Sequence, residues 1–455
     1  MGAQRDPQAD GRRGRPQGAA AGRTRRRAQL GQGALSPMRA FTAVGVALLG
    51  LTTALVAAQP ATAGAGPPAK VPPTGVQTCL ALDAKKDDWP TPQACADSGP
   101  LRLLPKQDGM RSPSLPTYEA VSGHALTECV RDRVSGLFWE GKPDSGKQPW
   151  PVLRDGTDGT SRFDMGGYGL QNVPVPGSRG HSEAYSLRGD GRPGDAIGYV
   201  AQVNASRLCG FTDWRLPTAA ELHGLIDLGK ERVSDVRPGR PLAEQSLVQA
   251  RWLPNTVPGV YMTSEWRDPT SVWCVNFENG AVYDCDPLME RAALPLFVRL
   301  VRGPAAPPSG RWRELPNERG VPGGAVEDRH TGLVWRRCEE PQTWNGRRCI
   351  WSAKRYDYVQ ALEHAAKETG WRLPTIKEID SLAQRDPDGF ALPPADFPAA
   401  GRETPQATHW SATVCGAQPA TSTARASISG WVLTDDGKIY CESRIRHLGV
   451  RLVRE

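Results

Sequence analysis

Two similar stretches, Trp214-Arg-Leu-Pro-Thr-Ala-Ala-Glu221-Leu and Trp371-Arg-Leu-Pro-Thr-Ile-Lys-Glu378-Ile, decide how this chain is organised. Each proline interrupts the preceding segment, and the Thr-x-x-Glu that begins next to it is a capping box. In a capping box the threonine oxygen accepts the third amide of a helix, and the glutamate binds back to the cap. Both stretches therefore predict the start of a short helix, and their recurrence predicts an internal duplication.

Two further motifs repeat on either side of these stretches. Asp132-Arg-Val-Ser-Gly-Leu-Phe-Trp139 matches Asp328-Arg-His-Thr-Gly-Leu-Val-Trp335, and Val298-Arg-Leu-Val-Arg302 matches Val450-Arg-Leu-Val-Arg454. The first copy is about 39 residues longer, and the polar, Gly-rich stretch 141–190 is the predicted insert. We divide the chain into a basic leader with a signal peptide (1–63), a small cysteine-containing segment (64–120), repeat one (121–303), a Gly- and Pro-rich linker (304–311) and repeat two (312–455).

Each repeat is predicted to combine two helices with a late antiparallel sheet. Apolar residues recur at helical spacing over 196–208 and 353–367, ahead of the capping boxes. Asn279-Gly280 and Asp436-Gly437 then predict two β-hairpins, because both dipeptides tolerate the positive φ of a type I′ turn. Early helices followed by an antiparallel sheet indicate the α+β class.

The start of the chain is predicted to be an export signal. Phe41 to Ala58 is an apolar run that follows Arg39 and precedes Ala61-Thr-Ala63, the order of a secretory signal peptide and its cleavage site. A membrane anchor is the alternative, but the run is short and rich in Ala, Gly and Thr. We expect a mature protein without a stable membrane span, located in the periplasm or outside the cell.

The net charge of +7 arises from this leader. Residues 1–63 hold nine arginines and two aspartates, so the 56 basic and 49 acidic residues of the chain fall to 47 of each after residue 63. A protein that neutralises a track of phosphates keeps its excess positive charge in the folded part. We therefore do not expect nucleic acid as a partner.

Ten cysteines follow the leader, and their even number in an exported chain predicts disulfides. Pairing each cysteine with its nearest neighbour along the chain gives four disulfides and leaves two cysteines for a fifth. The sequence alone leaves the connectivity open. The expected pairs are Cys79–Cys95, Cys274–Cys285, Cys338–Cys349, Cys415–Cys441 and Cys129–Cys209. Zinc binding is the alternative, but paired short-range ligands are missing from the cysteine spacing.

The motifs together resemble the Lcl C-terminal domain family, named after the C-terminal domain of a bacterial collagen-like adhesin. The resemblance rests on D-x-x-[T/S]-G-L-x-W, D-W-R-L-P-T-x-x-E-L, a W-S-[S/A]-T strand, a hairpin and a terminal V-R-x-V-R strand. Repeat two keeps Trp410-Ser-Ala-Thr413, where repeat one has the looser Tyr261-Met-Thr-Ser264. Gly370 replaces the aspartate that precedes the motif tryptophan.

This resemblance implies two tandem compact domains related to C-type lectin-like domains. It also implies adhesion, because the adhesin relative is associated with binding sulfated polysaccharide. We expect an exported, non-catalytic recognition protein whose partner is an anionic polysaccharide or another envelope component. A structural envelope protein that contacts only proteins is one alternative. An oxidase resembling the formylglycine-generating enzymes is another, and it would need a pair of reactive cysteines.

The repeated Trp-Arg-Leu-Pro motif is expected to be scaffold rather than a ligand site. Tryptophan fills core volume, arginine pairs with a buried oxygen, and proline sets the entry to the helix. The residues concerned are Trp214, Arg215, Pro217, Trp371, Arg372 and Pro374. In the terminal strands, the period of two places Arg299 and Arg451 opposite Val298 and Val450, which predicts a polar outer face for the two arginines.

The candidate ligand contacts are basic and aromatic. Residues 311–355 hold ten Lys or Arg against six acids, with tryptophans interleaved. Tryptophan faces pack on sugar rings, and arginine forks bind anionic oxygens. The candidates are Trp344 and Arg347 in this stretch, and Arg291, Arg444 and Arg446 in loops before the terminal strands, since loops on a rigid scaffold often carry function.

Sequence signals for catalysis and for metals are weak. The seven histidines form neither H-x-x-x-H nor H-E-x-x-H, the spacings of zinc hydrolases. The turn Asp155-Gly-Thr-Asp158 could hold Ca²⁺, but it lacks the spacing of an EF-hand loop. We expect no catalytic residue, no resident metal and no other cofactor.

Overall fold

The computed structural model describes most of the chain after residue 69. The described residues are 70–82, 90–96, 102–111, 117–144, 179, 185–187, 189, 194–230, 242–287, 296–303, 310–317, 319–385, 392, 396–398, 408–415 and 429–455. All of them belong to one compact unit, Ala63–Glu455. The predicted signal peptide, the Asp155–Asp158 turn, Arg291 and linker residues 304–309 lie outside the described residues. None of the described helices has the length and apolar character needed to cross a membrane.

The secondary structure falls into an N-terminal segment and two repeats. The segment contains β1 (Thr78–Leu82), β2 (Thr91–Ala94), β3 (Arg102–Leu103) and α1 (Asp108–Arg111). Repeat one contains β4 (Tyr118–Ala120), β5 (Cys129–Asp132), β6 (Phe138–Glu140), α2 (Ala196–Ala205), α3 (Ala219–Gly224), α4 (Leu242–Gln245), β7 (Val260–Asp268), β8 (Ser271–Asn276), β9 (Val282–Cys285), β10 (Leu296–Phe297) and β11 (Val301–Arg302). Repeat two contains β12 (Trp312–Leu315), β13 (Ala325–Asp328), β14 (Val334–Arg336), β15 (Thr343–Trp344), β16 (Cys349–Ile350), α5 (Tyr358–Lys367), α6 (Ile376–Leu382), β17 (His409–Cys415), β18 (Ser429–Leu433), β19 (Ile439–Ser443) and β20 (Val453–Arg454).

Both capping boxes predicted from the sequence are present. The Thr218 hydroxyl oxygen accepts the amide of Glu221 at 3.2 Å, and the Glu221 carboxylate accepts the amide of Thr218 at 2.9 Å. Thr375 and Glu378 repeat this arrangement at the start of α6. Each box satisfies amides that have no partner inside the helix, so the position of both helices is set by the same local chemistry.

The first helix of each repeat is shorter than periodicity predicted. α2 ends at Ala205 rather than at residue 208, and α5 begins at Tyr358 rather than at residue 353. Asp195 and Asp357 cap the two helices by accepting amides of the first turn. An aspartate cap fixes the start of α5 more sharply than apolar spacing does, and α2 ends before Arg207, whose φ of +54° is left-handed.

The predicted hairpins are present, and the fold is α+β as expected. The turns at Asn279-Gly280 and Asp436-Gly437 join β8 to β9 and β18 to β19. A separate four-stranded antiparallel sheet forms in each repeat, in the order β11-β6-β5-β4 and β12-β13-β14-β20. In each of these sheets the first and the last strand of the repeat lie at opposite edges.

The two repeats share a third, seven-stranded sheet in the order β10-β7-β8-β9-β19-β18-β17. Val282 of β9 and Ile439 of β19 form the antiparallel pair at the junction. The helices α3 and α6 contact each other and cover β8 and β18. The repeats are therefore fused into a pseudo-dimer, in which equivalent elements face each other.

The hairpin glycines show why the fusion is close. Gly280 (φ +79°) and Gly437 (φ +89°) adopt a conformation that side chains with a Cβ rarely adopt. A Cβ on Gly280 would lie 3.1 Å from Trp431, and one on Gly437 would lie 3.0 Å from Trp273. Each turn thus packs against a strand tryptophan of the other repeat.

Apolar packing is continuous across the repeats. One buried cluster contains Trp139 and Trp273 of repeat one together with Trp335 and Trp431 of repeat two. Two further clusters are centred on individual repeats. Separating the repeats would therefore expose large apolar side chains to water, which is strongly unfavourable.

The N-terminal segment packs on repeat two. The Lys106 ammonium donates to the carbonyl oxygens of Ala365, Glu368 and Trp371, at 3.1, 2.9 and 2.7 Å. The last carbonyl groups of a helix lack intrahelical partners, and a cation there also interacts favourably with the helix dipole. Lys106 therefore caps α5 from outside its own repeat.

The strands β7 and β17 occupy equivalent places in the two repeats, but their residues correspond with a shift of one from the match of 261–264 with 410–413 that the sequence suggested. The amides of Ser264 and Ala412 each bind the carbonyl oxygen of the motif proline in their own repeat, at 2.8 and 2.7 Å. Met262 thus occupies the place of Trp410. The expected match of Tyr261 to Trp410 was wrong, because the hydrogen bond to the proline, not the aromatic residue, sets the register.

All five disulfides have the expected pairing. They do not occupy equivalent positions in the two repeats. Arg267 and Asp284 of repeat one correspond to Cys415 and Cys441 of repeat two. They form an ion pair where repeat two has a disulfide. The repeats therefore share a framework but are braced differently.

The prediction of a polar outer face for Arg299 and Arg451 was wrong. Arg299 is 0% exposed and Arg451 is 2% exposed. Arg299 donates to the Glu140 carbonyl oxygen at 2.6 Å and to the Thr256 hydroxyl at 2.9 Å. Arg451 donates to the Arg337 carbonyl oxygen at 2.7 Å. The terminal strands are covered on both faces. The alternation of arginine with apolar residues therefore does not mark a side that faces solvent.

Candidate functional site

The candidate ligand contacts of repeat two begin on a short hairpin, β15–β16. The Cys338–Cys349 disulfide ties this hairpin to the chain after β14. At its turn, the Asn345 side-chain oxygen accepts the amides of Arg347 and Arg348, at 3.0 and 2.9 Å. The backbone that presents the two arginines is thus held by a covalent bond and by local hydrogen bonds.

The two tryptophans of this region differ in their environment. Trp344 is half-buried, its Nε1 donates to the Pro322 oxygen at 3.0 Å, and the Arg337 guanidinium lies 4.6 Å from its ring centre. Trp351 is 75% exposed. Trp351, which the sequence did not single out as a contact, therefore offers the more accessible ring. The sequence alone does not distinguish a half-buried tryptophan from an exposed one.

A second segment, residues 443–447, pairs through its backbone with the chain that follows the hairpin. Arg444 is half-buried and Arg446 is exposed. The Tyr358 amide donates to the Arg444 carbonyl oxygen at 3.0 Å, and Tyr356 and Leu448 exchange two hydrogen bonds of 2.9 Å. Residues 351–358 therefore connect the hairpin to the loop.

We use the name basic–aromatic surface for exposed and half-buried basic and aromatic side chains of residues 347–354 and 444–446. It comprises Arg347, Arg348, Trp351, Lys354, Arg444 and Arg446. Among the residues that the structure describes, Arg347, Arg348 and Arg446 make no ion pair. Their charge is therefore available to an anionic ligand. Arg291, the remaining predicted contact, lies outside the described residues.

Glu339, a buried acid of the same repeat, is already paired. Glu339 lies 2.7 Å from Arg355 and 3.1 Å from His409. Burial opposes its ionisation, but attraction to His409 and Arg451 lowers the pKa of Glu339 well below its ordinary range. The carboxylate is thus charged and held by partners inside the protein.

The motif tryptophans lie inside the protein. Trp214 and Trp371 are each 2% exposed. The Trp214 Nε1 donates to the Leu208 carbonyl oxygen at 3.1 Å. The guanidinium groups of Arg336 and Arg454 lie 4.8 and 4.6 Å from the centre of the Trp371 ring. Both rings are thus engaged by the protein itself.

The other motif residues connect helix to strand. Arg215 and Arg372 each donate two hydrogen bonds, of 2.7 and 2.8 Å, to the glutamate of their own capping box. The carbonyl oxygens of Pro217 and Pro374 accept amides from β7 and β17. The motif arginines and prolines therefore fix α3 and α6 to the shared sheet.

The two copies of this arrangement agree with a known family. The sequence model of the Lcl C-terminal domain matches residues 128–302 and 324–454. The chain belongs to the Lcl C-terminal domain family. No curated protein matches it. The two matched spans confirm the tandem pair of Lcl domains predicted from the repeated motifs.

One group of side chains in the second Lcl repeat has the composition of a metal site. Glu340, His364 and Glu368 place their ligand atoms within 4.8 Å of one another. Arg336 donates to Glu340 at 2.9 Å and to Glu368 at 2.8 Å, and His364 Nε2 lies 3.0 Å from Glu340. A guanidinium thus already bridges the two carboxylates, so we assign no metal to this group.

A cavity of about 510 Å³ lies between the two Lcl repeats, lined by the start of α3, by α6 and by the turns after β5 and β13. Its charged lining includes Asp132, Glu265, Lys377 and Arg385. Glu265 accepts the amide of Ala219 at 2.6 Å, and burial raises the pKa of Glu265 to about 7. The sequence did not predict this cavity, because residues from both repeats form it.

Proposed function

We propose that this protein is an exported, non-catalytic recognition protein that binds anionic polysaccharide through the basic–aromatic surface of repeat two. The observation that carries the proposal is the exposure of Trp351 directly after a disulfide-tied hairpin whose turn presents Arg347 and Arg348. Export is part of the proposal and is supported by the five disulfides. A relationship to C-type lectin-like domains, and a role in adhesion, are also part of it.

The chemistry of the surface matches a sulfated or carboxylated sugar chain. An exposed indole face packs against the apolar face of a sugar ring, and guanidinium groups bind anionic oxygens in pairs. The hairpin is already ordered, so little conformational entropy is lost on binding. Because the contacts are exposed and charged, binding is expected to weaken as salt rises.

Fusion of the repeats bears on avidity, the gain in affinity when two linked sites bind one repetitive ligand. Two repeats on a flexible linker could bind a repetitive chain independently. The shared sheet holds them in one body instead. The proposal therefore assigns binding to repeat two and does not need a second site.

Heparin chromatography of the full chain tests the proposal. We expect retention at moderate salt, and earlier elution of Trp351→Ala and of the double variant Arg347→Ala/Arg348→Ala. Arg329→Ala is the matched control, because Arg329 is an exposed arginine of the same repeat outside this surface. No retention of the full chain, or equal elution of all variants, would contradict the proposal.

A protein partner is the second candidate function. Ile445 is 67% exposed between Arg444 and Arg446, so its apolar side chain is available to a protein partner. Ile445→Ser should then weaken capture of an envelope protein while leaving heparin retention unchanged.

The oxidase alternative requires reactive thiols, whereas all ten cysteines lie in disulfides. Thiol titration of the native protein tests that alternative directly.

A further inference from the structure

The cavity between the repeats presents the same aspartate turn from both sides. In repeat two, Asp328 accepts the His330 amide at 3.0 Å and the Thr331 hydroxyl at 2.8 Å. In repeat one, Asp132 accepts the Val134 amide at 2.8 Å and the Ser135 hydroxyl at 2.6 Å. Both carboxylates are thus held by their own turn in the same way.

The two aspartates differ in their remaining partner. Arg311 binds Asp328 with two parallel hydrogen bonds, Nε to Oδ1 at 2.8 Å and Nη2 to Oδ2 at 2.7 Å. Two parallel charge-assisted hydrogen bonds bind more strongly than one and fix the orientation of the guanidinium. Asp328 is 0% exposed, so the guanidinium also neutralises a charge that has no access to water.

Repeat one lacks this guanidinium. The Arg329 amide donates to the Arg311 carbonyl oxygen, and the equivalent Arg133 amide donates to the Thr117 carbonyl oxygen, each at 2.9 Å. Thr117 therefore stands at the position of Arg311. Asp132 is 3% exposed and lines the cavity, and no cation of the described residues lies within ion-pair distance of it.

We propose that the cavity binds a guanidinium group, which pairs with Asp132 as Arg311 pairs with Asp328. The ligand is a small guanidinium compound or the arginine side chain of another polypeptide. The cavity of about 510 Å³ exceeds the size of this group, and Leu137, Trp139 and Ala220 supply apolar walls for the methylene chain that carries it.

Lys377 limits how the ligand is held. Its ammonium donates to the carbonyl oxygens of Gly224 and Pro73, at 2.9 and 2.8 Å. Gly224 is the equivalent of Ser381, whose carbonyl oxygen accepts Arg311 in repeat two. Lys377 thus fills one acceptor of the position and attracts Asp132 from beyond ion-pair distance, while the hydrogen-bonding oxygens of Asp132 remain for the ligand. Glu265, on the same cavity, is the other carboxyl group that a cation meets.

Calorimetry of the full chain with agmatine as the probe tests this site. We expect agmatine to bind more tightly than putrescine, which has an ammonium in place of the guanidinium fork. Asp132→Asn should weaken agmatine binding about tenfold or more. Thr117→Arg should abolish it, because the new side chain occupies Asp132 from within, and should also raise the melting temperature.

Thr117→Gln is the matched control, with a long polar side chain and no charge, and it should bind agmatine like the parent. A blocked arginine peptide separates the two ligand sources: binding of agmatine alone indicates a small molecule, and tighter binding of the peptide indicates a polypeptide.

No binding of agmatine or peptide, or equal agmatine binding by the parent, Asp132→Asn and Thr117→Arg, would overturn the proposal. Heparin retention should not change in any of these variants, so the site is tested separately from the basic–aromatic surface.

Discussion

His223 and Asp380 occupy the same position in their own repeats, two residues after the capping-box glutamate, and they contact each other. His223 Nδ1 lies 2.7 Å from a carboxylate oxygen of Asp380, and their side chains are 0% and 1% exposed. Equivalent residues of two copies meet only near the two-fold axis that relates the copies. Divergence of the repeats has thus placed unlike side chains where a symmetric dimer would place two identical ones.

This contact should couple the two repeats energetically. We expect His223→Ala and Asp380→Ala to show a coupling free energy of about 1–3 kcal/mol in a double-mutant cycle, because buried partners in one network are not additive. Urea unfolding of the four proteins measures it. The exposed pair Arg131–Glu119, at 2.9 Å, serves as the control and should couple by about 0.2–1 kcal/mol. Equal coupling in both cycles would show that the axis contact contributes nothing special.

The same contact should make the fold sensitive to acid. Burial lowers the pKa of His223 below its ordinary value, despite the opposing attraction of Asp380. The folded protein therefore holds His223 neutral at a pH where the unfolded chain already binds a proton. The stability that depends on neutral His223 is complete above the unfolded pKa of about 6.5 and decreases as the pH falls below it.

Melting temperatures between about pH 7.5 and pH 5 measure this effect. We expect a decrease toward pH 5 that is shallower in His223→Gln, which cannot take up the proton. Burial also lowers the pKa of His409, so part of the decrease should remain in this variant. His447→Gln, at an exposed position, should keep the full decrease. A parent protein that is as stable at pH 5 as at pH 7.5 would rule out this role for His223.

The two repeats should remain associated when the linker is cut. The pair of Val282 and Ile439 continues one sheet across the repeats, and apolar packing is continuous between them. We expect a protein with a protease site in place of residues 304–309 to elute as one species in gel filtration after cleavage, without denaturant. Separate elution of the two fragments would show that the linker, not the interface, holds the repeats together.

The buried terminal-strand arginines should be essential to stability. Arg299→Ala leaves the Glu140 carbonyl and the Thr256 hydroxyl without their partner and opens a void, at a cost of about 2–4 kcal/mol. Arg446→Ala, at an exposed position, should change the free energy of unfolding by less than about 0.5 kcal/mol. Chemical denaturation compares the two variants. Similar values for both would contradict the structural role of Arg299.

The sequence was informative where the structure depends on local chemistry. The capping boxes at Thr218 and Thr375 were predicted because their partners lie three residues away. The junction of Val282 with Ile439 was not, since both are ordinary strand residues and the pairing joins distant parts of the chain. The exposure of Trp351 was also missed, because burial is set by what packs against a residue.

The different bracing of the repeats gives a last prediction. Arg267 and Asp284 in repeat one stand at the positions of Cys415 and Cys441, and their side chains form an ion pair where repeat two has the disulfide. The double variant Arg267→Cys/Asp284→Cys should therefore form a sixth disulfide on oxidative refolding. We expect net stabilisation of about 1–3 kcal/mol, because the cross-link restricts the unfolded chain more than the part-exposed ion pair contributes. Intact mass and peptide mapping detect the new bond, and the Arg267→Ser/Asp284→Ser variant controls for loss of the ion pair. Two free thiols in the folded double-cysteine variant would show that the strands of repeat one do not have the spacing inferred from repeat two.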